Sequence, residues 1–305
     1  MIRNNDAGQI DFGTQYDQYK TMVESSLLSF LGQTDEPETA ILYEAARYSL
    51  MAGGKRIRPV LMLATATMLG LPSDVVMPYC CAIEMIHTYS LIHDDLPAMD
   101  NDDLRRGKPT CHIAYGEATA ILAGDFLLNR AYEIILDSVR VENPHSIDAA
   151  RLISQAAGGN GMIGGQIMDM VFENQAITRD MLQRMHQKKT GSLIVACVML
   201  PLLFCQTEQQ LQQAFRQYGK AIGLAFQIRD DILDVTASAN QLGKTPEKDE
   251  RDGKTTFVSL LGREEAEHQL AATNTHARQA LQVIHQEYDC TFLMEMTDFL
   301  LRRSS

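Results

Sequence analysis

Apolar residues recur at every third or fourth position through most of this 305-residue chain. That spacing is the period of one face of an α-helix, whereas half-buried strands alternate apolar and polar residues. No Asn-Gly or Asp-Gly turn stands between alternating segments, so β-hairpins are not predicted. We predict one all-α domain over residues 1–305, with helices at 38–51, 59–69, 77–93, 119–139, 146–157, 161–173, 179–204, 208–235, 258–287 and 292–302.

The composition excludes some classes of partner. Hydrophobic residues make up 45% of the chain, charged residues make up 22%, and the formal net charge is −12. The first two values are those of a globular protein with a sizeable core. The net charge argues against a nucleic-acid binder or a protein that docks on anionic membranes, because phosphates attract basic surfaces. An anionic substrate would need local cations or metal ions.

Cysteine usage and the apolar runs favour a cytoplasmic protein with no stable membrane insertion. The six cysteines form no C-x-x-C pair and mostly lie in apolar sequence, which indicates buried free thiols in a reducing compartment. The first 20 residues are polar and acidic, unlike a basic stretch followed by an apolar one. The longest apolar run, 192–205, is about 14 residues long and is too short to span a bilayer.

Two aspartate clusters interrupt otherwise apolar sequence. The first cluster is Asp94, Asp95 and Asp100, and the second, 136 residues beyond Asp94, is Asp230, Asp231 and Asp234. A carboxylate beside an apolar surface costs free energy unless a cation neutralises it. We therefore predict that the clusters form two walls of one cavity, bridged by hard divalent cations.

The spacing of the second cluster suits a metal site on a helix. Asp230 and Asp234 are four residues apart, which is roughly 40° around a helix, so they share a face. Two such carboxylates can bind Mg²⁺, which takes oxygen ligands, keeps several waters and bridges to phosphates. A solvated acidic helix end would show the same spacing. The helix at 221–235 is apolar nearly all round, however, and this favours a buried location for the cluster that ends it.

The first cluster requires a break in its helix. Asp94 and Asp100 are six residues apart, roughly 240° around a regular helix, and cannot share a face without distortion. Pro97 lies between them and disrupts helical hydrogen bonding. We expect the helix to end near Asp95 and the chain to curl, which returns Asp100 toward Asp94. His87 lies about two turns earlier on nearly the same face, where it is either a satisfied core histidine or a site residue.

Basic residues stand where an anion would need them. They are Lys55, Arg56 and Arg58 on a glycine-rich loop before a helix, Arg105 and Arg106 after the first cluster, Lys188 and Lys189 at a helix start, and Lys244 and Lys254 after the second cluster. A loop that runs into a helix N-terminus is suited to bind a diphosphate. Each cation alone is typical of a solvated surface, but together with the two acidic clusters they indicate a site for metal-bound diphosphates.

Several segments resemble the trans-isoprenyl diphosphate synthases, of the bacterial farnesyl type and their geranylgeranyl relatives. The segments are GGKRIRP at 53–59, DDLPAMD at 94–100 with the flanking 90–107, LAGD at 122–125, GQIMD at 165–169 within 161–169, KTG at 189–191, DDILD at 230–234 within 223–234 and GKTP at 243–246. The resemblance implies an all-α isoprenoid synthase fold with helices ringed around a deep central cavity, usually as a homodimer. It also implies condensation of isopentenyl diphosphate with dimethylallyl and geranyl diphosphate to (2E,6E)-farnesyl diphosphate, assisted by three Mg²⁺ ions.

The same resemblance implies roles for individual residues. Those that would bind Mg²⁺ are Asp94, Asp95, Asp100, Asp230 and Asp234, with Asp231 in the same catalytic group. Those that would hold the allylic diphosphate are Arg105, Lys189, Lys244 and Lys254. Those that would hold isopentenyl diphosphate are Lys55, Arg58, His87 and Arg106. Thr190 and Gln227 would line the space around the developing carbocation.

Tyr89 is the candidate floor of the cavity. It lies five residues before Asp94, about 7.5 Å along the helix axis. In the similar enzymes a bulky residue at this place stops growth at fifteen carbons, so we predict a farnesyl product, with geranylgeranyl diphosphate as the alternative. A plain core tyrosine is another interpretation, and Met85 or Ile86 could set the floor instead.

Two further functions share part of this pattern. A class I terpene cyclase has the same fold, metals and carbocation chemistry, but it normally lacks a second Asp-Asp-x-x-Asp cluster and the cradle at Lys55, Arg58 and His87. A non-catalytic subunit of a heteromeric prenyl synthase would be expected to have lost one cluster. Both clusters and the cradle are intact here, which favours the synthase over either alternative.

Overall fold

A computed structural model describes residues 11–140, 143–205, 207–236 and 254–302. Its helices are α1 (Phe12–Leu31), α2 (Ala40–Leu50), α3 (Ile57–Met68), α4 (Ser73–Asp94), α5 (Cys111–Tyr115), α6 (Glu117–Asp137), α7 (His145–Ala157), α8 (Met162–Phe172), α9 (Arg179–His186), α10 (Ser192–Leu203), α11 (Gln209–Thr236), α12 (Phe257–Leu261), α13 (Arg263–Ile284) and α14 (Thr291–Arg302). Shorter elements are the 3₁₀ turn Pro37–Thr39, the π-helical turn Gln187–Gly191, called the π turn below, and the antiparallel strands Leu104–Arg105 and Lys108–Pro109.

The all-α prediction is confirmed, and the helix bounds differ in places that have a local cause. The segment predicted as one helix at 258–287 is two helices, because Gly262 adopts a left-handed φ of 81° between α12 and α13. The segment predicted as one helix at 179–204 contains the π turn. Helix α4 begins at Ser73, earlier than predicted, and carries Pro78 in its second turn.

Helix α1 is absent from the sequence prediction, although its pattern is present in the chain. Its buried residues are Tyr16, Tyr19, Val23, Leu27 and Leu31, which follow the three-to-four spacing of a helix face. Asp11 caps its start by accepting a hydrogen bond from the backbone N of Thr14. The first 20 residues, which are polar and acidic in composition, therefore include the start of a helix.

The helices surround a cavity, and each helix of its walls packs against one or more of the others. Helix α4 packs against α3 and α6, α10 packs against α3, α7 and α11, and α11 packs against α13. Helix α10 is buried on nearly all sides, as its apolar sequence predicts. This arrangement puts the ends of α4 and α11, which carry the two aspartate clusters, around the same space. The assignment of residues 1–305 to a single domain stays a prediction.

Two properties used in the sequence argument are visible in the structure. All six cysteines are free; five are buried and Cys205 is partly buried. Helix α4 is long and apolar enough to cross a membrane by length and composition, so the run at 192–205 is not the longest candidate. However, 67% of its apolar window is buried within the protein, and a central helix of a soluble core passes the same test.

Candidate active site

One cavity of about 680 Å³ collects residues from both aspartate clusters. Asp94 at the end of α4 and Asp230 on α11 both line it. The other walls come from α3, the turn after α4, α6, α8 and the π turn. The structure therefore places one aspartate of each cluster on the lining of one cavity.

The first cluster curls in the predicted way. Helix α4 ends at Asp94, and Asp95 caps it. The backbone N of Asp100 donates to the carbonyl O of Asp94 at 2.8 Å, and that of Asp102 donates to the carbonyl O of Asp95 at 3.1 Å. Asn101 adopts a left-handed φ of 49°, which lets the chain turn back. Asp100 is thus brought beside Asp94 by backbone hydrogen bonds.

Asp94 is a carboxyl group whose ionisation is unfavourable in its surroundings. Burial raises its pKa to about 6, and the neighbouring carboxylates of Asp100 and Asp95 add to the shift. The ammonium of Lys189 opposes it. A cation that binds this carboxylate therefore gains more free energy than one that binds a solvated carboxylate.

Asp95 faces a different partner from the one expected. It is buried and lies against Arg105, whose Nε donates to its two carboxylate oxygens at 2.8 and 2.9 Å and whose Nη2 donates to Oδ1 at 2.5 Å. Burial raises the pKa of Asp95, although Arg105 opposes the shift. Asp95 and Arg105 line a small separate cavity and not the large one. The structure therefore pairs these two residues with each other, while their predicted roles as metal ligand and allylic-diphosphate ligand stay predictions.

The second cluster divides into a partly buried position and two buried ones. Asp230 lines the cavity, whereas Asp231 and Asp234 are buried and lie outside its lining. Asp231 accepts from Gln227 Nε2 at 3.0 Å and from the backbone N of Phe257, the first residue of α12, at 2.8 Å. A carboxylate at a helix N-terminus is stabilising. These contacts link α11 to α12, and the predicted catalytic role of Asp231 stays a prediction.

The π turn presents Lys189 and Thr190 to the cavity. Lys189 Nζ donates to Asp169 Oδ2 on α8 at 2.6 Å. Thr190 Oγ1 donates to Gln227 Oε1 at 3.1 Å, so the two predicted carbocation-facing residues contact each other. The backbones are close here: a Cβ at Gly165 on α8 would lie 2.1 Å from the backbone N of Lys189. Single π turns inside helices are frequent at functional sites.

The basic segment at the start of α3 directs one of its three cations into the protein core. Arg56 adopts a left-handed φ of 52°, and its Nη1 donates to Glu84 Oε1 at 2.6 Å inside the core. Its Nη2 donates to the carbonyl O of Leu50. The expectation that all three cations form one anion cradle is therefore wrong for Arg56. Arg58 does line the cavity, and its buried Nε has no hydrogen-bond partner among the described residues.

The remaining cations of the cradle lie close together. Arg106 Nη1 donates to the carbonyl O of Gly53, and a Cβ at Gly54 would lie 2.7 Å from its Cζ. Burial lowers the pKa of His87 well below its ordinary value, and Arg58 and Arg106 lower it further. His87 is thus a neutral histidine beside several guanidinium groups, whose positive charges would attract an anion. This is the physical signature expected of a diphosphate site.

Lys254 lies between the carboxylates of Asp100 and Asp169. Its Nζ donates to Asp100 Oδ1 at 2.7 Å and is 3.7 Å from Asp169 Oδ2. Lys244 and the segment 243–246 lie outside the described residues. Within the ranges that are described, no group of three His, Cys, Asp or Glu side chains is close enough to hold one metal ion.

Tyr89 is in the cavity lining, as predicted. Its ring is buried, and its hydroxyl has no hydrogen-bond partner in the described part of the chain. Burial raises the pKa of this hydroxyl to about 12, so it is neutral. Tyr89 therefore shares the cavity lining with Ile121 of α6.

Sequence reasoning assigned no role to two residues of α8. Gln166 lines the cavity, and its buried Oε1 has no partner among the described residues; Asp169 pairs with Lys189. In the sequence they are two polar residues, three positions apart, that follow a glycine pair. The rest of this predicted helix is mostly apolar. That pattern places both side chains on one face of α8.

Comparison with known proteins gives consistent similarities. The family model described as polyprenyl synthetase matches residues 39–290. A farnesyl diphosphate synthase from Bacillus subtilis is 40% identical over 287 residues, which cover 93% of this chain and 95% of that protein. A chloroplastic geranylgeranyl pyrophosphate synthase from Capsicum annuum is 43% identical over 270 residues, covering 87% and 73% of the two chains.

A solved structure is also similar over nearly the whole length. It is a geranyltransferase from Helicobacter pylori, complexed with magnesium and isoprenyl diphosphate. It matches with a TM-score of 0.80 at 33% identity and covers 94% of this chain and 96% of that one. The similarity thus extends from the sequence motifs to the arrangement of the helices.

Proposed function

The chain belongs to the polyprenyl synthetase family and is a trans-prenyltransferase, and from that premise we propose that it makes (2E,6E)-farnesyl diphosphate. Its substrates are isopentenyl diphosphate and an allylic diphosphate, for which we propose dimethylallyl and then geranyl diphosphate. The observation that carries the proposal is the single cavity that joins Asp94 and Asp230 to Lys189, Arg58 and an apolar interior.

We propose Mg²⁺ as the divalent metal. The carboxylate of Asp94 is poorly solvated and lies on the same cavity as Asp230, which is the kind of donor that Mg²⁺ prefers. Mg²⁺ is commonly bound by one or two carboxylates, with its coordination completed by substrate phosphates and water. The Helicobacter pylori relative is complexed with magnesium. Three ions per site stays a prediction from the family resemblance.

The reaction requires the cavity to hold charge at one end and exclude water at the other. The allylic C–O bond breaks and its electron pair leaves with the diphosphate, whose growing charge bound Mg²⁺ would stabilise. Lys189, which lines the cavity beside Asp94, adds a fixed positive charge to this end. The double bond of isopentenyl diphosphate then forms the new C–C bond, and a proton is lost to the departed diphosphate.

The other residues position the second substrate and protect the cation. Arg58, His87 and Arg106 belong to a cation-rich region beside the cavity, and we propose that they hold isopentenyl diphosphate. The same role for Lys55 is proposed from the family resemblance. Thr190 and Gln227 contribute weakly nucleophilic oxygens to the wall, and their mutual hydrogen bond fixes both side chains. Apolar side chains of α6 and α8 complete a wall that excludes water.

We propose that Tyr89 ends the cavity and limits the product to fifteen carbons. Its buried ring lies on the lining below Asp94. Geranylgeranyl diphosphate is the alternative product, and the 43% identity to the Capsicum annuum enzyme supports it. The two products differ only in how many times the cavity admits another isoprene unit.

We further propose that the enzyme is a homodimer located in the cytoplasm. Large apolar side chains are exposed on α6 and α8, among them Leu122, Leu136 and Val171, and such a surface is typical of a protein interface. The cytoplasmic assignment is supported by the six free cysteines, which a reducing compartment preserves.

The experiment is an incubation of the purified chain with radiolabelled isopentenyl diphosphate and Mg²⁺. Dimethylallyl, geranyl and farnesyl diphosphate are offered separately as primers, and the products are sized after removal of the diphosphate. The proposal expects incorporation with the first two primers and a dominant fifteen-carbon product. A dominant twenty-carbon product would assign the alternative, and no incorporation with any primer would exclude the enzyme function.

A further inference from the structure

Four charged side chains of alternating sign form a chain that begins at Lys189 in the cavity lining. Asp100 accepts from Lys254 Nζ at 2.7 Å, Lys254 is 3.7 Å from Asp169, and Asp169 accepts from Lys189 Nζ at 2.6 Å. These residues come from the turn after α4, the segment before α12, α8 and the π turn. The chain therefore ties together four elements that are distant in sequence.

The network is little exposed to water. The side chains of Lys254, Asp169 and Asp100 are 13%, 12% and 20% exposed. Burial alone would raise the pKa of Asp169, but the ammonium groups of Lys189 and Lys254 lower it below its ordinary value. Among the described residues, the network contains two carboxylates and two ammonium groups. A divalent cation added at Asp100 would thus meet a carboxylate that already contacts a positive charge.

We propose that Lys254 is a built-in counter-ion of the first aspartate cluster, which holds Asp100 in the ligand-free enzyme and is displaced when metal and diphosphate bind together. This inference rests on the proposed function. Its physical basis is that an ammonium group and a divalent cation compete for the same carboxylate oxygen and repel each other. Metal alone has to displace Lys254 without compensation, whereas a metal diphosphate offers phosphate oxygens to the released ammonium group.

The consequence is that diphosphate assists metal binding through this lysine. The metal takes the carboxylate of Asp100, and the ammonium of Lys254 moves to the anion that arrives with the metal, so charge stays balanced throughout. A lysine that only binds diphosphate would leave the affinity for metal alone unchanged. The two roles are therefore separable without measuring turnover.

The test is a Mn²⁺ titration of the ligand-free protein, with free Mn²⁺ read by its electron paramagnetic resonance signal. Lys254→Met is expected to bind Mn²⁺ alone about tenfold more tightly than the wild type, because the competing charge is gone. Inorganic pyrophosphate should raise the Mn²⁺ affinity of the wild type by a larger factor than that of the variant. Lys220→Met, which removes an exposed lysine on α11, is the matched control and should behave as the wild type.

An unchanged or weaker Mn²⁺ affinity in Lys254→Met, with an unchanged control, would overturn the inference. Should the methionine variant fail to fold, Lys254→Gln removes the charge while keeping a polar end and gives the same readout. The titration is independent of condensation activity. A wild type that incorporates isopentenyl diphosphate, together with an unaltered variant affinity, rejects the counter-ion role alone, whereas absent incorporation rejects the proposed function.

Discussion

At the scale of single residues, the site depends on how burial changes the charge of Asp94. Its carboxyl group ends a helix whose other residues are mostly in the core, and it shares its surroundings with Asp100 and Asp95. Such a group favours either a proton or a metal ion over bare ionisation. The consequence is a measurable pH dependence in the metal-free protein.

We predict that Asp94 stabilises the metal-free fold most strongly at low pH. Its folded pKa is about 6, above the ordinary value of 3.8, so the folded protein binds this proton more tightly than the unfolded chain does. The contribution is complete below about pH 4 and is lost as the pH rises through about 6. In EDTA, the free energy of unfolding of the wild type minus that of Asp94→Asn should fall across this range. A difference that grows with pH would contradict the assignment.

Tyr89 provides a second prediction at this scale. Tyr89→Ala removes the aromatic ring from the cavity lining, so the growing chain should extend further and longer products should appear. The measurement is the product size distribution with geranyl diphosphate as primer. Tyr43→Ala, on α2 and outside the cavity lining, is the control and should leave the distribution unchanged. An unaltered fifteen-carbon product from Tyr89→Ala would show that another residue sets the length.

Individual residues differ in how well their environment could be predicted. The return of Asp100 to Asp94 follows from local geometry and from Pro97, and the structure has it. The inward turn of Arg56 does not follow, because its partner Glu84 is 28 residues away and on another helix. The pairing of Asp95 with Arg105 is likewise decided by tertiary contacts. A sequence shows which charges are near one another along the chain, but not which side of a loop each one faces.

At the scale of secondary-structure elements, the π turn is closely packed against its neighbouring helices. It carries Lys189 and Thr190, and it lies directly against α8 and α11. A Cβ at Gly223 on α11 would lie 2.8 Å from the Cα of Gly191, and one at Gly165 on α8 would be closer still to Lys189. The position of the two site residues thus depends on small residues in neighbouring helices.

We predict that Gly165→Ala displaces the π turn. The added methyl group would lie 2.1 Å from a backbone nitrogen, which cannot move aside as a side chain can. We expect a loss of about 1–3 kcal/mol in the free energy of unfolding, measured by urea denaturation, together with reduced turnover. Gly159→Ala is the control, since nothing lies within 4 Å of its Cβ position. Equal stability of the two variants would contradict the packing argument.

Most helices could be predicted from apolar periodicity, and the exceptions have physical reasons. The break at Gly262 depends on a left-handed φ that a helical pattern conceals. The π turn keeps the chain helical between α9 and α10, so no break in the sequence marks it. Helix α1 shows the correct spacing, but its buried stripe is narrow and most of its remaining residues are polar. Local patterns therefore give the type of element more reliably than its ends.

At the scale of the whole molecule, an acidic protein binds acidic substrates by segregating charge. The formal net charge is −12, yet Arg58, His87 and Lys189 all line the cavity that also receives Asp94 and Asp230. The fold achieves this by bringing together the ends of α4 and α11 with the starts of α3 and of the π turn. The sequence predicts that these segments contain the metal-binding and substrate-binding residues. Their meeting in one cavity depends on the packing order of the helices, which periodicity alone does not specify.

The measurement that tests the account most directly is isopentenyl diphosphate incorporation by Asp94→Ala and by Asp230→Ala at saturating Mg²⁺. Both clusters are claimed to act on one metal-bound diphosphate, so each variant should lose turnover by about 10²-fold or more. Asp180→Ala, at an exposed position on α9, should keep the wild-type rate. Near-normal turnover in either cavity variant, with its fold intact, would contradict the claim that the two aspartate walls share one catalytic site.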